Sequence, residues 1–222
     1  MKLLMTVAFD GDRDAFAADA VGRLTKLVGS GAASKATLDV RLPDSELEAL
    51  GSELMTQQEE ERAVIALWDT DTDTALSMPL PAGSGLVGAY HVEEVVQKDY
   101  DRTWPSGTQS PGFKMIPFLH RRADLTREAF SQHWREHHGP LAVARQPGFW
   151  HYVQNHLVER LSDASPDWDG FGEIHYRTLE DALTRSYDSE EAQKLIWEDV
   201  ARFLAYDRSP TLTTHEWVIT SG

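Results

Sequence analysis

Apolar positions along this 222-residue chain fall into two successive sets with the same order. Residues 1–9, MKLLMTVAF, are a short apolar run that predicts a strand. An acidic turn follows. Residues 14–27 then place Phe16, Ala20, Leu24 and Leu27 at helical spacing. Further strands are predicted over 37–42, 63–68 and 86–96. The second set opens with FKMIPFLH, 113–120, a strand whose proline implies a bulge or a sheet edge. Thr126 can cap a helix whose apolar face is Phe130, Trp134, His137 or His138, and Leu141. Gly139-Pro140 should stop that helix. Strands are predicted again over 151–158, 171–176 and 211–220. Between the last two, residues 189–206 put Ala192, Leu195, Ile196, Val200 and Phe203 on one helical face.

Both sets read β-α-β-β-α-β, the ferredoxin-like order. The first copy is eroded, since DTDTALSMPLPAGSG is weak helix. Residues 44–62 read as an added acidic, solvated helix. TWPSGTQSPG, 103–112, is rich in Pro, Gly, Ser and Thr and reads as a linker. The fold expected is α+β, with tandem ferredoxin-like repeats: a degenerate half over 1–102 and a second half over 113–222.

Composition narrows the function. With 21 Lys plus Arg against 36 Asp plus Glu, the net charge is −15 and no run supplies a basic face for phosphates. Nucleic acid is therefore not an expected partner. There is no cysteine, which removes disulfides and thiolate chemistry. The opening residues are too short and acidic for a signal peptide, and no apolar stretch has membrane-spanning length. A cytoplasmic chain with no membrane contact is the expectation. Seven Trp, eight Phe and six Tyr promise a large core or an aromatic pocket.

Residues 114–219 resemble the EthD family, named for ethyl tert-butyl ether degradation, within the dimeric α/β-barrel superfamily. The matching residues are Arg121-Arg122, Leu125-Thr126 with Phe130, Trp134, and His138-Gly139-Pro140-Leu141. Tyr152-Val153-Gln154-Asn155-His156, Asp169-Gly170 with Glu173, and Phe203 complete them. The resemblance implies that two ferredoxin-like units pair sheet to sheet. A tandem chain could close such an intrachain dimeric α/β barrel by itself, and a homodimer stays open.

Histidine dominates the candidate chemistry, because eight of nine histidines lie in the second half. His133-Trp134-Arg135-Glu136-His137 fits H-x-x-E-H, a zinc-protease pattern. A core tryptophan inside the motif and a missing third ligand argue against zinc, so no metal is expected. His133 and His137 are expected at the surface. His138, which the resemblance marks, is expected either as an acid–base group or as a tie for the helix end. Strand alternation turns Glu173 and His175 away from the helix-covered face, toward the barrel interior. A buried Glu173 would need a proton or a partner, and His156 and His175 are the candidates. The expected catalytic set is His138, Glu173 and His156. The expected substrate-binding set is Trp134, Tyr152, His175 and His120. The cavity holding Glu173 is expected on the inner face of the second half's sheet. The reading is a cofactor-independent lyase, isomerase or cyclase acting on a small, partly aromatic molecule. Its rivals are a non-catalytic binding or accessory protein and a haem-binding barrel with an axial histidine.

Overall fold

In a computed structural model, which describes residues 2–51 and 61–221, eight antiparallel strands close into one barrel. The first half supplies β1 (Lys2–Phe9), β2 (Lys35–Arg41), β3 (Ala63–Trp68) and β4 (Ser84–Lys98). The second supplies β5 (Phe113–Leu119), β6 (His151–Arg160), β7 (Gly170–Tyr176) and β8 (Thr211–Thr220). The order around the barrel is β1-β3-β2-β8-β5-β7-β6-β4. The halves therefore meet along two seams, β2 with β8 and β4 with β6.

Helices cover the outside. In the first half α1 (Arg13–Gly29), capped by the Asp12 carboxylate, buries Phe16, Ala20 and Leu24 against Leu3, Met5 and Val7. The short α2 (Asp44–Leu50) and α3 (Thr72–Ser77) follow β2 and β3. The acidic helix expected over 44–62 is seen only as α2, and residues 52–60 lie outside the described residues. In the second half α4 (Arg127–His133) starts at the Thr126 cap, and α6 (Leu179–Thr184) and α7 (Glu190–Phe203) precede β8.

Two proline expectations fail. Pro117 sits in a strand of an edgeless barrel with no register shift to mark a bulge, although the ladder to β7 lapses at Ile116 and Pro117. Gly172 opposite makes this tolerable, because a Cβ there would stand 2.8 Å from the proline Cγ. Gly139-Pro140 does not stop its helix either. The chain winds through a π turn at Trp134–His138 and continues as α5 (Gly139–Arg145).

Alternation along the strands separates two interiors. Odd positions of β1 face α1, so Lys2, Leu4 and Thr6 point into the barrel. One zone of the barrel is apolar, with Leu4, Tyr90, Ile116, Phe118, Phe171 and Leu212 in contact. The other zone is ionic. Lys2 Nζ reaches Glu94 at 2.8 Å and Glu173 at 2.7 Å. Lys114, fully buried, reaches Asp39 at 3.1 Å and Glu173 at 2.9 Å, and also pairs with Glu216. Buried charges persist when they are paired and hydrogen-bonded. The Asn155 amide donates to Glu173 at 2.9 Å, and the Ser110 hydroxyl donates to Glu216 at 2.7 Å. No helix among the described residues is long and apolar enough to cross a membrane.

Candidate functional site

Between the outer face of the second half's sheet and its helices lies a cavity of about 750 Å³. That volume suits a small organic molecule. Its floor includes Met115, Pro117 and Ile174, its walls include Trp134, His138 and Phe203, and Leu50 of the first half closes one side. None of the described residues lining it is Asp, Glu, Lys or Arg. Trp197 and Tyr206, 40% and 49% exposed, stand edge to face at its rim.

Glycines shape the back wall. A Cβ at Gly170 would lie 2.7 Å from the Trp134 ring, so the Gly170-Phe171-Gly172 string leaves the space that the indole fills. The Trp134 Nε1–H donates to the Tyr152 hydroxyl at 3.0 Å, and the Gln154 amide approaches the same oxygen at 3.3 Å. With two donors aimed at its oxygen, the Tyr152 phenol has its own proton left to give. Burial pushes its pKa up to about 12, so it stays a phenol.

His138 is set by the opposite helix. Its Nδ1 lies 2.9 Å from one Asp199 oxygen, and His133 Nε2 lies 2.9 Å from the other. A carboxylate only accepts, so both of those nitrogens carry hydrogen. His138 therefore presents Nε2 as its remaining ring nitrogen. Phe203 packs beneath both imidazoles, with centroids at 5.0 Å. Asp199 is almost wholly buried. Burial alone would raise its pKa, but the hydrogen bonds from His138 and His133 outweigh it and hold the carboxyl below its usual range. An Asp–His pair with the second nitrogen at a cavity wall has the geometry of a general base.

The residues singled out in the sequence separate into groups. His138, Trp134 and Tyr152 line the cavity. His156 lies behind Trp134, ring centroids 4.6 Å apart, with Nδ1 2.7 Å from the Ser131 hydroxyl and Nε2 3.2 Å from the Gln154 carbonyl oxygen. Burial lowers its pKa to about 4, so it is neutral. Glu173 faces the barrel, as alternation requires, but its charged partners are Lys2 and Lys114 rather than His156 or His175. Burial pushes its carboxyl up, and the two ammonium groups more than reverse that. His175 is buried beside Glu216 and bonds the Pro111 carbonyl at 2.9 Å. His120 packs tilted against Trp168, ring centroids 4.6 Å apart, and is not among the cavity-lining residues. Around Glu173 the inner face is thus packed with ion-paired and amide side chains, and the cavity of about 750 Å³ lies on the outer face. His133, expected at the surface, is tied to Asp199, while His137 is exposed and lies tilted against the His133 ring at 5.3 Å. Among the described residues no group of three or more His, Asp or Glu could hold a metal.

Asp199 was missed. Its signal was an acid on the buried stripe of α7, between Ile196 and Phe203 at helical spacing.

The EthD domain matches residues 122–207, the segment that carries the helices and β6 and β7 beside the cavity. A comparison with curated protein sequences returns no match. Among solved structures, a candidate monooxygenase from Lactobacillus acidophilus NCFM is similar over 100% of this chain and 95% of its own, at 12% identity and a TM-score of 0.54. A chlorite dismutase variant from Candidatus Nitrospira defluvii is similar over 97% of this chain and 90% of its own, at 14% identity and a TM-score of 0.52. At such identities the likeness establishes the dimeric α/β-barrel fold and nothing finer.

Proposed function

Taking the EthD domain over residues 122–207 as premise, we propose that the chain is an acid–base enzyme acting on an uncharged, largely aromatic molecule in the outer cavity. The observation that carries this reading is His138, tied through Nδ1 to Asp199 and lining an apolar cavity. His138 Nε2 takes a proton, and the Tyr152 hydroxyl hydrogen-bonds the oxygen where charge gathers. Proton abstraction beside a carbonyl gives an enolate, which isomerises if the proton returns to another carbon, eliminates if a β-substituent leaves with its bonding pair and takes the proton, or cyclises if the carbon attacks a second carbonyl of the same molecule whose oxygen takes the proton. No cofactor is needed for that step. Strand order 4-1-3-2 within each half supports the view that the halves are tandem ferredoxin-like copies.

The test uses a surrogate. Deuterium wash-in beside the carbonyl of 2-tetralone, followed by proton NMR, reads base catalysis without the natural substrate. The wild type should accelerate exchange, and His138→Ala should lose roughly 10²–10⁴-fold, the usual worth of one general base. No acceleration by the wild type would leave a binding or accessory role for the same cavity.

One feature favours haem as a second reading. A metal-binding histidine commonly has its other nitrogen held by a carboxylate, as His138 has. The fit is incomplete, because the described lining residues include no Lys or Arg for the two carboxylates of haem. An absorption spectrum after addition of haem, compared with that of His138→Ala, separates the two readings.

A further inference from the structure

We infer that Gln97, contributed by the first half, is a positioning residue for His138: its side-chain amide holds open the π turn that brings His133 and His138 together on Asp199. This rests on the reading of His138 as the base.

The argument starts from helix geometry. Residues five apart on an α-helix sit about 140° apart around its axis. His133 and His138 could not then share one carboxylate, yet both stand 2.9 Å from Asp199. The π turn reconciles this. The Gly139 N–H bonds the Trp134 carbonyl, five residues back, and the wider winding swings His138 toward His133.

That turn leaves a carbonyl without a partner. In π register the Arg135 carbonyl would accept from residue 140, which is proline and has no N–H. Gln97 Nε2 fills the gap, donating to the Arg135 carbonyl at 3.0 Å. It also donates to Gln154 Oε1 at 3.1 Å. Gln154 in turn donates to the Trp134 carbonyl at 2.7 Å, so the two amides together satisfy both carbonyls that the bulge exposes. Gly139 is small because a Cβ there would lie 2.5 Å from the Gln97 amide and 2.7 Å from that of Gln154. The His-Gly-Pro string thus encodes a bulge that an amide from across the β4–β6 seam completes.

Two variants test this in different ways. Gln97→Met removes the donor from a half-exposed position, and Gly139→Ala keeps both amides but displaces them. Long-range proton–nitrogen NMR on each folded variant reports which imidazole nitrogens of His133 and His138 carry hydrogen bonded to Asp199. Both variants should lose the Asp199-bonded signal of His138, and 2-tetralone exchange should fall tenfold or more with KM little changed. Loss of the imidazole signature in a protein whose wild type never exchanged 2-tetralone would support the positioning role and remove only the catalytic reading. Wild-type imidazole signatures in both folded variants would overturn the proposal.

Discussion

Replacing Lys114 with methionine probes how the barrel interior is held. The ammonium is fully buried and touches three carboxylates, those of Asp39, Glu173 and Glu216. Methionine keeps most of the volume and removes the charge. Breaking a buried ion pair by deleting one partner costs about 3–5 kcal/mol. Some relief is built in, since Lys2 and Asn155 still serve Glu173 and Ser110 still serves Glu216. An expected loss of ~4 kcal/mol at pH 7.5 corresponds to roughly 8–16 °C in Tm for a chain of this size. The pH dependence gives the sharper signature. In the wild type, burial pushes Glu216 up but Lys114 outweighs it, holding the pKa at about 2 against an ordinary 4.5. A depressed carboxyl contributes stability above 4.5 and loses it as pH falls toward 2. Without Lys114, burial acts largely unopposed and the carboxyl pKa values rise. A raised carboxyl favours the folded state at low pH and loses that contribution as pH climbs. The variant should therefore be less impaired at pH 5 than at pH 7.5. Urea unfolding at both values, with unchanged m, measures this. A loss under about 1 kcal/mol at pH 7.5, or equal losses at both values, would refute the reasoning.

Asp199→Asn should cut 2-tetralone exchange at least tenfold with the fold intact, because His138 loses the acceptor that fixes its tautomer; unchanged rates would remove Asp199 from the mechanism. Gly170→Ala should cost about 1–3 kcal/mol in urea unfolding, since its Cβ meets the Trp134 ring and the Asn155 carbonyl. His156 is held neutral by burial, with a pKa near 4 against 6.5. Stability that depends on its neutrality is present above pH 6.5 and falls toward pH 4, by about 3 kcal/mol in all. His156→Gln should flatten that acid limb, and an unchanged limb would assign it to other groups.

The strand pattern was readable because alternation and helical spacing are local. Alternation turns Glu173 toward the barrel interior from sequence alone, and it lies there. What could not be read depends on distant partners. The lysines that meet Glu173 come from β1 and β5, and nothing in Gly-Phe-Gly-Glu announces Lys2 of the other half. Gly139-Pro140 looks like a helix stop because local rules assume that the lost hydrogen bond goes unreplaced. Gln97, some forty residues earlier, replaces it. Cavity placement failed for a similar reason. Alternation alone makes polar strand residues look like the lining of an open space, whereas here they bond one another and the open space lies among apolar ones.

The ionic zone of the barrel also decides which halves can mate. It is assembled from both sides of the seams, with Lys2, Asp39 and Glu94 from one half and Lys114, Glu173 and Glu216 from the other. Two second halves facing each other would shut four carboxylates in with two ammonium groups and exclude Lys2 altogether. Each copy of the chain is thus steered to close on itself, as a lock accepts its own key. Closing the barrel within one chain then leaves one half to carry the cavity while the other keeps the counter-charges and the amide that the site borrows.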